Sequence, residues 1–482
     1  MALSTLVEAA TTNPSLAIIS FVAGYISCVC VYRLFFHPLS KIPGPPVAAC
    51  TSLWLAYHTY IGDEATAIYD LHRKYGPVLR VGPEDIDIAE GDAIEAIYLE
   101  RGGFQKSRPY TKFDIDGHPT IFSTLTMDER ASRAKAVVPL FSTASIRNSN
   151  RVLCEVIDAF ISRLRHEAAT GQAVNVLNLT RSMAVDAVSS YLFQQNYGGI
   201  AEGASEMSAS QFVDAYVGVG AFFYFPERIA GLAMRIFDML TSNEHTMKSF
   251  QVVDDFVRKL VASAAPESGS YPSRLLERSI NEKQTRVECK DLIFAGSDST
   301  GMNTAMVIWY LSRNAEIYDR LKQEVLQKNQ DKEDPTAGPY LRGVVRETLR
   351  LSWANPTRLP RMVPAGGWKY KDFYFPSGTN VGVSAWQIHQ EEDVFPEPRE
   401  FRPERWLNPS DKMLRNFFAF GKGNRTCIAQ NLALTELMLA TQKIAETDAL
   451  RGARTVQDKI EIYEWFNSRV KGEKIELIWG KA

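Results

Sequence analysis

The chain has no cysteine framework. Its 6 cysteines, at positions 28, 30, 50, 154, 289 and 427, are scattered through 482 residues without paired spacing. That excludes a disulfide-stapled secreted domain and fits a reducing, cytosol-facing compartment. Around Cys427 no second Cys or His stands at ligand spacing, which argues against zinc. Charge of one sign is not in excess. The formal net charge is −2, so nothing draws the protein to nucleic acid or to acidic substrates. There is no internal repeat and no long low-complexity tract. A dinucleotide fingerprint is also missing: Gly421-x-Gly423-x-x-Thr426 follows a loop rather than a strand, and no ribose-binding acid is evident. What is present in quantity is apolar surface. Hydrophobic residues make up 45% of the chain, enough to enclose a cofactor, and the length exceeds the usual single-core range of about 50–250 residues.

One of the scattered cysteines stands in a distinctive run, Phe420-Gly421-Lys422-Gly423-Asn424-Arg425-Thr426-Cys427-Ile428-Ala429. A protein thiolate needs a dry shield, nearby positive charge and spare N–H donors. Phe420 offers the shield. Gly421 and Gly423 allow turns that a Cβ would block, and Arg425 brings a fixed cation. After Cys427 the apolar residues Ile428, Leu432, Leu434, Leu437, Met438 and Leu439 predict a helix. Cys427 is therefore expected at a helix N-terminus, where unpaired N–H groups favour an anion. The competing reading is an ordinary buried free thiol.

The run resembles the haem-binding loop of the haem-thiolate monooxygenases, the cytochrome P-450 superfamily. The family pattern carries Gly two residues after the cysteine. Ala429 stands there instead, and a slight repositioning of haem without loss of binding is expected.

Organisation along the chain supports the resemblance. Leu16 to Tyr32 is 17 residues without a charge. As a helix it spans about 26 Å, just under a bilayer core of ~30 Å. Leu34, Phe35 and Phe36 extend it. Residues 1–40 are expected to be a retained membrane anchor, with a helix over about 16–36. Arg33, His37 and Lys41 follow the span, which places the C-terminal side in the cytoplasm. Residues 41–46, Lys41-Ile42-Pro43-Gly44-Pro45-Pro46, predict a stiff hinge. Residues 47–482 then form one large domain, mostly helical, with short strands near Val78–Arg80, Ile86–Ile88 and Trp368–Val383. Two polar stretches, Ser263–Ser279 and Lys328–Gly338, are expected to be loops. Two sequons, at Asn178 and Asn424, are taken as chance, since the second lies inside the cysteine loop.

Cys289–Leu311 is apolar nearly all round and predicts a buried central helix containing Ala295-Gly296-Ser297-Asp298-Ser299-Thr300. A helical glycine costs about 1 kcal/mol and is tolerated where something approaches the backbone. Asp298 with a neighbouring hydroxyl could relay protons. The alternative is hydroxyls bonding back to carbonyls four residues earlier. The segment resembles the family's oxygen-activation motif of an acid followed by Thr, with Ser299 in the usual Thr place and Thr300 next. Glu347 and Arg350 share a helix face. With Arg405, they resemble the family's buried Glu-Arg-Arg network, in which loss of one partner costs about 3–5 kcal/mol. Leu359-Pro360-Arg361 resembles the strand that sends an Arg to a haem propionate. A second cation is expected from the helix Glu129–Leu140, where Arg130, Arg133 and Lys135 are equally eligible. His389 is read as a packed or exposed histidine rather than an iron ligand. Phe212, Tyr216, Phe222, Phe223, Tyr224 and Phe225 are either core or a substrate mouth. Gly117–Phe122 is a candidate loop over the pocket.

The resemblance implies a mainly α fold with a smaller β region, and haem b bound through Cys427. It implies insertion of one oxygen atom from O2 into a hydrophobic small molecule. Electrons would come from NADPH through a separate reductase, met by a basic face of Lys412, Arg415 and Lys422. The motif order around the Pro hinge is similar to fungal microsomal members, which implies an endoplasmic-reticulum anchor and secondary metabolism on a terpenoid, polyketide or alkaloid skeleton. Two rivals stand beside this: a haem-thiolate isomerase or dehydratase that needs no reductase, and a non-catalytic haem-binding protein.

Overall fold

The structure is a computed structural model that describes residues 14–480, apart from 204–206, 228–230, 232–238, 240–243 and 332–334. Pro14–Val31 is helical and ends in one π-helical turn, Tyr32–Phe36. Its apolar side chains lie open, Phe21 at 76% exposure, so this is not a core helix. Ile18–Phe36 is, among the described residues, the one stretch long and apolar enough to cross a membrane. The first 13 residues of the expected anchor lie outside the described part.

The proline-rich hinge is strapped to the body rather than free. Leu39 and Ile42 are buried in an apolar cluster with Ile86 and Ile88. The Arg80 backbone N–H donates to the Pro43 carbonyl at 2.7 Å, and its guanidinium donates to the Arg33 carbonyl at 2.9 Å. A Cβ on Gly44 would stand 2.3 Å from the Arg80 carbonyl oxygen, so only glycine lets the strap lie this close.

The body is helical around one long element, Glu282–Arg313. Asn281 caps it, accepting the Gln284 N–H at 2.8 Å. The predicted central helix is thus real and about two turns longer at its start. It packs against Val176–Val188 and against the helix Gln430–Glu446 that follows the cysteine. The helical glycines explain the first contact. A Cβ on Gly296 would lie 2.6 Å from a Val188 methyl, and one on Gly301 would lie 2.8 Å from the Arg181 Cα. What approaches these glycines is a neighbouring helix. Thr180 Oγ1 seals the seam by donating to the Gly301 carbonyl at 2.8 Å.

A five-stranded sheet lies beside the helices, in the spatial order Val78–Arg80, Asp85–Ile88, Asn380–Gly382, Arg361–Met362, Gln105–Lys106. All neighbours are antiparallel except Asp85–Ile88 with Asn380–Gly382. The expected strands are present, but Trp368–Tyr370 and Phe373–Phe375 form a separate hairpin. The polar stretch after Ser263 is not all loop, because Tyr271–Glu277 is helical and buries Tyr271 and Leu275. Lys328–Gln330 likewise continues a helix. The sequon at Asn178 sits inside a packed helix with Thr180 fully buried.

The Glu347 carboxylate organises the far side of the core. It is fully buried and accepts from Arg350 Nε and Nη2, at 2.9 and 2.8 Å, and from Arg405 Nε at 2.9 Å. Trp406 Nε1 adds a bond at 2.8 Å and the Arg402 N–H one at 3.0 Å. Five donors on two oxygens compensate a burial that would otherwise be prohibitive. Arg350 Nη1 then donates to the His389 and Pro398 carbonyls, at 2.9 and 2.6 Å. His389 is not exposed; it carries the network onward. Its Nε2 accepts the Phe418 N–H at 3.0 Å, which leaves Nδ1–H to donate to the Arg350 carbonyl at 3.0 Å. Phe418 begins the run into the cysteine loop.

Burial, reinforced by Arg350, pushes the His389 pKa down to about 3. An unfolded histidine protonates near 6.5. Between these values the unfolded state binds the extra proton, so stability falls as pH drops from about 6.5 towards 3, by about 1.4 kcal/mol per pH unit. Urea unfolding of the wild type and of His389→Gln across that range should show the wild type losing its advantage on acidification. Parallel pH profiles would refute the assignment.

Candidate active site

The cysteine loop is shaped by two backbone hydrogen bonds and one from a side chain to a backbone carbonyl. The Cys427 N–H donates to the Phe420 carbonyl at 2.9 Å, Gly421 N–H donates to Phe418 at 3.0 Å, and Thr426 Oγ1 donates to Phe420 at 3.2 Å. Gly421 and Gly423 take φ of 66° and 71°, the left-handed region that glycine enters without strain. Gly423 is also pressed against Tyr98, where a Cβ would sit 1.8 Å from the carbonyl oxygen. Tyr98 is fixed in turn, donating its hydroxyl to Leu359 at 2.8 Å and accepting the Val383 N–H at 2.9 Å. Helix Gln430–Glu446 starts three residues after Cys427, so the thiol lies just ahead of the helix rather than on its first turn. Its sulfur accepts the Ala429 N–H, which favours thiolate, whereas burial pushes the thiol pKa up. Ala429 has φ of −93°, a conformation any residue adopts, so nothing in this backbone demands glycine there.

Cys427 is open to a solvent-sized probe, yet burial dominates its electrostatics. Both hold when a thiol borders an internal space. The central helix shows the same sign. Ala295 is exposed within a mostly buried stretch, and Asp291 and Ser299 at four-residue spacing are half-exposed. The exposed thiol precedes the helix Gln430–Glu446, which packs on the helix that carries the Asp291–Ala295–Ser299 stripe.

The residues expected to relay protons are split up. Asp298 is buried, bonded to Arg181 Nη2 at 3.3 Å and to Asn467 Nδ2 at 3.4 Å. Burial pushes its pKa up to about 6 against the pull of Arg181, which also pairs with Asp214 at 3.0 Å. Thr300 is bonded to Glu436 on the cysteine helix, a carboxyl that burial raises to about 8. Ser299 is the hydroxyl left on the half-exposed stripe. Back-bonding occurs one turn later, from Thr304 Oγ1 to the Thr300 carbonyl at 2.8 Å. The Glu436 contact had no sequence signature, because one acid in an amphipathic helix reads as a solvated residue.

Cations gather around Arg425 of the cysteine loop. Lys106 and Arg361 are direct cross-strand partners in the sheet and both are buried. Like charges opposite one another destabilise a strand pair. Arg425 donates Nη2 to the Leu125 and Thr126 carbonyls, at 2.8 and 2.9 Å, while its buried Nη1 has no partner. Burial, then Arg130 and Arg361, pulls the Arg425 pKa down to about 10. Burial and the same cations, Arg361, Arg425 and Arg130, hold Lys106 well below the usual lysine value. Of the three helix cations that were equally eligible, Arg130 joins this cluster. Arg133 Nε instead meets Glu288 Oε1 at 3.1 Å, and Lys135 is exposed. Lys106 escaped notice in the sequence because a lone lysine on a short strand normally faces water.

The aromatic run is core. Phe223 packs on Phe466, Tyr110 and Phe113 at 4.9, 5.5 and 5.7 Å between ring centroids. Only Tyr216 and Phe225 keep partial exposure among those six. The Gly117–Phe122 loop is pinned to the central helix, with the Ile121 N–H donating to Glu288 at 3.0 Å and Gln284 Nε2 to the Pro119 carbonyl at 2.8 Å.

A buried cation cluster in which cations outnumber the nearby carboxylates Asp291 and Glu288, one orphaned guanidinium nitrogen and an exposed thiol form a complementary donor set. It fits a flat cofactor with two acidic arms and a metal that takes sulfur. Haem is such a group, and the site defines a haem-thiolate protein. The family model for cytochrome P450 matches residues 42–447. Curated relatives agree along almost the whole chain. Cytochrome P450 monooxygenase mfmF of Annulohypoxylon moriforme is 36% identical over 480 residues, 93% of this chain and 96% of the relative. Cytochrome P450 monooxygenase apf7 of Gibberella fujikuroi is 30% identical, covering 86% of each chain. The fusicoccadiene C-8 hydroxylase of Alternaria brassicicola is 28% identical, covering 85% of this chain and 84% of its own. The chain belongs to the cytochrome P450 family. It is a haem-dependent monooxygenase that acts on a small molecule and draws electrons from a redox partner.

The Gly423–Tyr98 contact yields a test. Gly423→Ala should displace the loop from Tyr98 and lower haem content at least several-fold, measured by pyridine haemochrome per protein. Full loading would show that the close approach is dispensable.

Proposed function

We propose that this chain hydroxylates or epoxidises a hydrophobic skeleton in fungal secondary metabolism, with Cys427 as the axial ligand to haem iron. The observation that carries the site assignment is the cation cluster Lys106, Arg361, Arg425 and Arg130, in excess over the acids Asp291 and Glu288 and linked through Arg425 to the loop that bears Cys427. These cations would take the two propionates, and Phe420 would shield the sulfur. The Ala429 N–H would hold the thiolate charge. When bound, haem supplies the redox chemistry with O2, and a thiolate ligand favours O–O cleavage. The chain's own task is to keep water out, seat the substrate against the Ala295 face and hand on protons.

For that last step the geometry favours Ser299. It is half-exposed on the Ala295 face of the helix, whereas Asp298 is tied to Arg181 and Thr300 to Glu436. Asp298 would then act as a positioning and resupplying acid behind the helix. Glu347, Arg350 and Arg405 would serve structure, holding the meander that leads into the cysteine loop.

Electrons would arrive from NADPH through a membrane-bound reductase. Lys412 and Arg415 are exposed near the loop, and Lys422 donates to the Arg415 carbonyl at 2.5 Å. A basic face of this kind suits an acidic partner and weakens with salt. The apolar helix would fix the protein to the cytosolic face of the endoplasmic reticulum, with residues 1–40 as anchor, 41–46 as strap and 47–482 as the catalytic domain.

The ligand assignment is tested spectroscopically. Cys427→Ala should abolish the thiolate-type Soret band of the reduced carbon-monoxide complex; its survival would place the ligand elsewhere. The proton assignment is tested by coupling. Ser299→Ala should raise the share of NADPH lost as peroxide by about tenfold, a factor ordinary for a positioned proton donor. Ser299→Thr should keep coupling or improve it. Equal peroxide yields from wild type and Ser299→Ala would remove Ser299 from the relay.

A further inference from the structure

Between helix Glu64–Tyr75, the strand Asp85–Ile88 and the stretch Pro356–Arg358 lies a small cavity of about 10 Å3. Every residue that lines it is buried. Three of the lining oxygens, Glu64 Oε1, Asp87 Oδ2 and Thr357 Oγ1, make no hydrogen bond to any described residue. Their side chains belong to residues only 1, 1 and 3% exposed. Buried polar atoms are nearly always paired, and three unpaired ones here share one space. The rest of the cluster is paired, and its protons can be counted. His72 Nδ1 lies 2.8 Å from the Gly76 carbonyl, which only accepts, so Nδ1 carries a proton. His72 Nε2 lies 2.8 Å from Asp87 Oδ1, a bond that needs one more proton on that pair. Thr59 Oγ1 lies 2.8 Å from the Leu55 carbonyl and 2.6 Å from Glu64 Oε2. A hydroxyl has one proton, so both bonds form together only if Glu64 Oε2 is itself protonated. Burial pushes the Glu64 pKa up to about 8, which keeps that proton in place at neutral pH.

We infer that this cavity is a binding site for one water molecule, which donates to Glu64 Oε1 and Asp87 Oδ2 and accepts from the Thr357 hydroxyl, with Glu64 held as a neutral acid. The space matches what a single water needs, and a buried water typically makes about three hydrogen bonds. The donors and acceptors match too. Water gives two protons to the two acid oxygens and takes one from the hydroxyl. Each proton is then used once along the whole chain, from the Leu55 carbonyl through Thr59, Glu64, the water and Asp87 to His72 and the Gly76 carbonyl. An ion fits worse. Arg358 lines the same cavity and would repel a metal cation, and Asp87 would repel an anion. The Arg358 Nε, Nη1 and Nη2 atoms are spent elsewhere, on the Tyr224 hydroxyl, the Ile86 carbonyl and Asp85, each at 3.0 Å. Gln387 lines both this cavity and a surface crevice beside His72, which gives water a way in. The water would join three segments far apart in sequence. The last of them runs directly into Arg361, so the site helps to hold the sheet that carries that cation.

The test uses the full-length, haem-loaded enzyme. In its crystal structure, at a resolution where single waters are seen, one density peak should lie within hydrogen-bond distance of all three oxygens. An empty cavity, direct contact of Glu64 with Asp87, or a peak with the short contacts and anomalous signal of a metal overturns the proposal. Infrared difference spectra check the neutral acid. Subtracting Glu64→Gln from wild type at neutral pH should leave the C=O band of a protonated carboxyl, and a carboxylate band in its place overturns the assignment. Urea unfolding reads the site in solution. Glutamine copies a neutral acid, with its amide donating to Thr59 and its oxygen accepting from the water. Glu64→Gln should therefore change the unfolding constant by less than about threefold. Thr357→Val keeps the shape, removes the hydroxyl and should raise that constant about tenfold. A Thr357→Val variant as stable as wild type, or a Glu64→Gln variant tenfold worse, overturns the proposal. If Thr357→Val does not fold, Glu64→Gln and the infrared band decide.

Discussion

Charge repulsion only partly offset by nearby acids, Asp291 and Glu288, is the constraint around which the active-site side of this protein is arranged. Lys106 and Arg361 face each other across a strand pair, and Arg425 and Arg130 close on them. No apolar core tolerates such a group alone, because each buried cation loses hydration and gains a repulsive neighbour. The apoprotein therefore carries an electrostatic debt at one spot. A dianionic group bound there would offset that repulsion. This couples cofactor capture to folding, since whatever binds only the folded form stabilises it by mass action.

Opposite in character is the Glu347 centre, where every charge is matched. Its five donors come from helix Pro339–Arg350 and from the meander around Arg402–Trp406, so one carboxylate fixes two chain segments far apart in sequence. His389 transmits that fixation to Phe418 by using each ring nitrogen once. The cysteine loop is thus held from behind by neutralised, water-free bonds and in front by the Gly423–Tyr98 contact. A loop supported on both sides loses little freedom when something binds it, which is what preorganisation requires.

The parts of this architecture legible in the sequence were those written in local spacing. The apolar run after Leu16, the central helix, the cysteine loop and the Glu347–Arg350 pair each occupy a few consecutive turns, and each appears where its pattern placed it. What spacing could not convey was which way a side chain turns once two elements meet. Arg130, Arg133 and Lys135 are interchangeable as letters; only the position of Glu288 draws one of them away. Asp298 was eligible for the relay until Arg181, more than a hundred residues earlier, took it. Gly296 and Gly301 advertised a close approach correctly, but the visitor is a helix. The polar stretch around Tyr271 misled because its few apolar residues happen to be the ones that are buried.

The strap formed by Leu39, Ile42 and Pro43 has a mechanical consequence. It is bonded to Arg80, and the strand bearing Arg80 belongs to the same sheet that bears Lys106 and Arg361. The leading helix is therefore a handle and not a leash: rotate it and the sheet must rotate too. Any surface that grips the helix also sets the orientation of the sheet that carries Lys106 and Arg361.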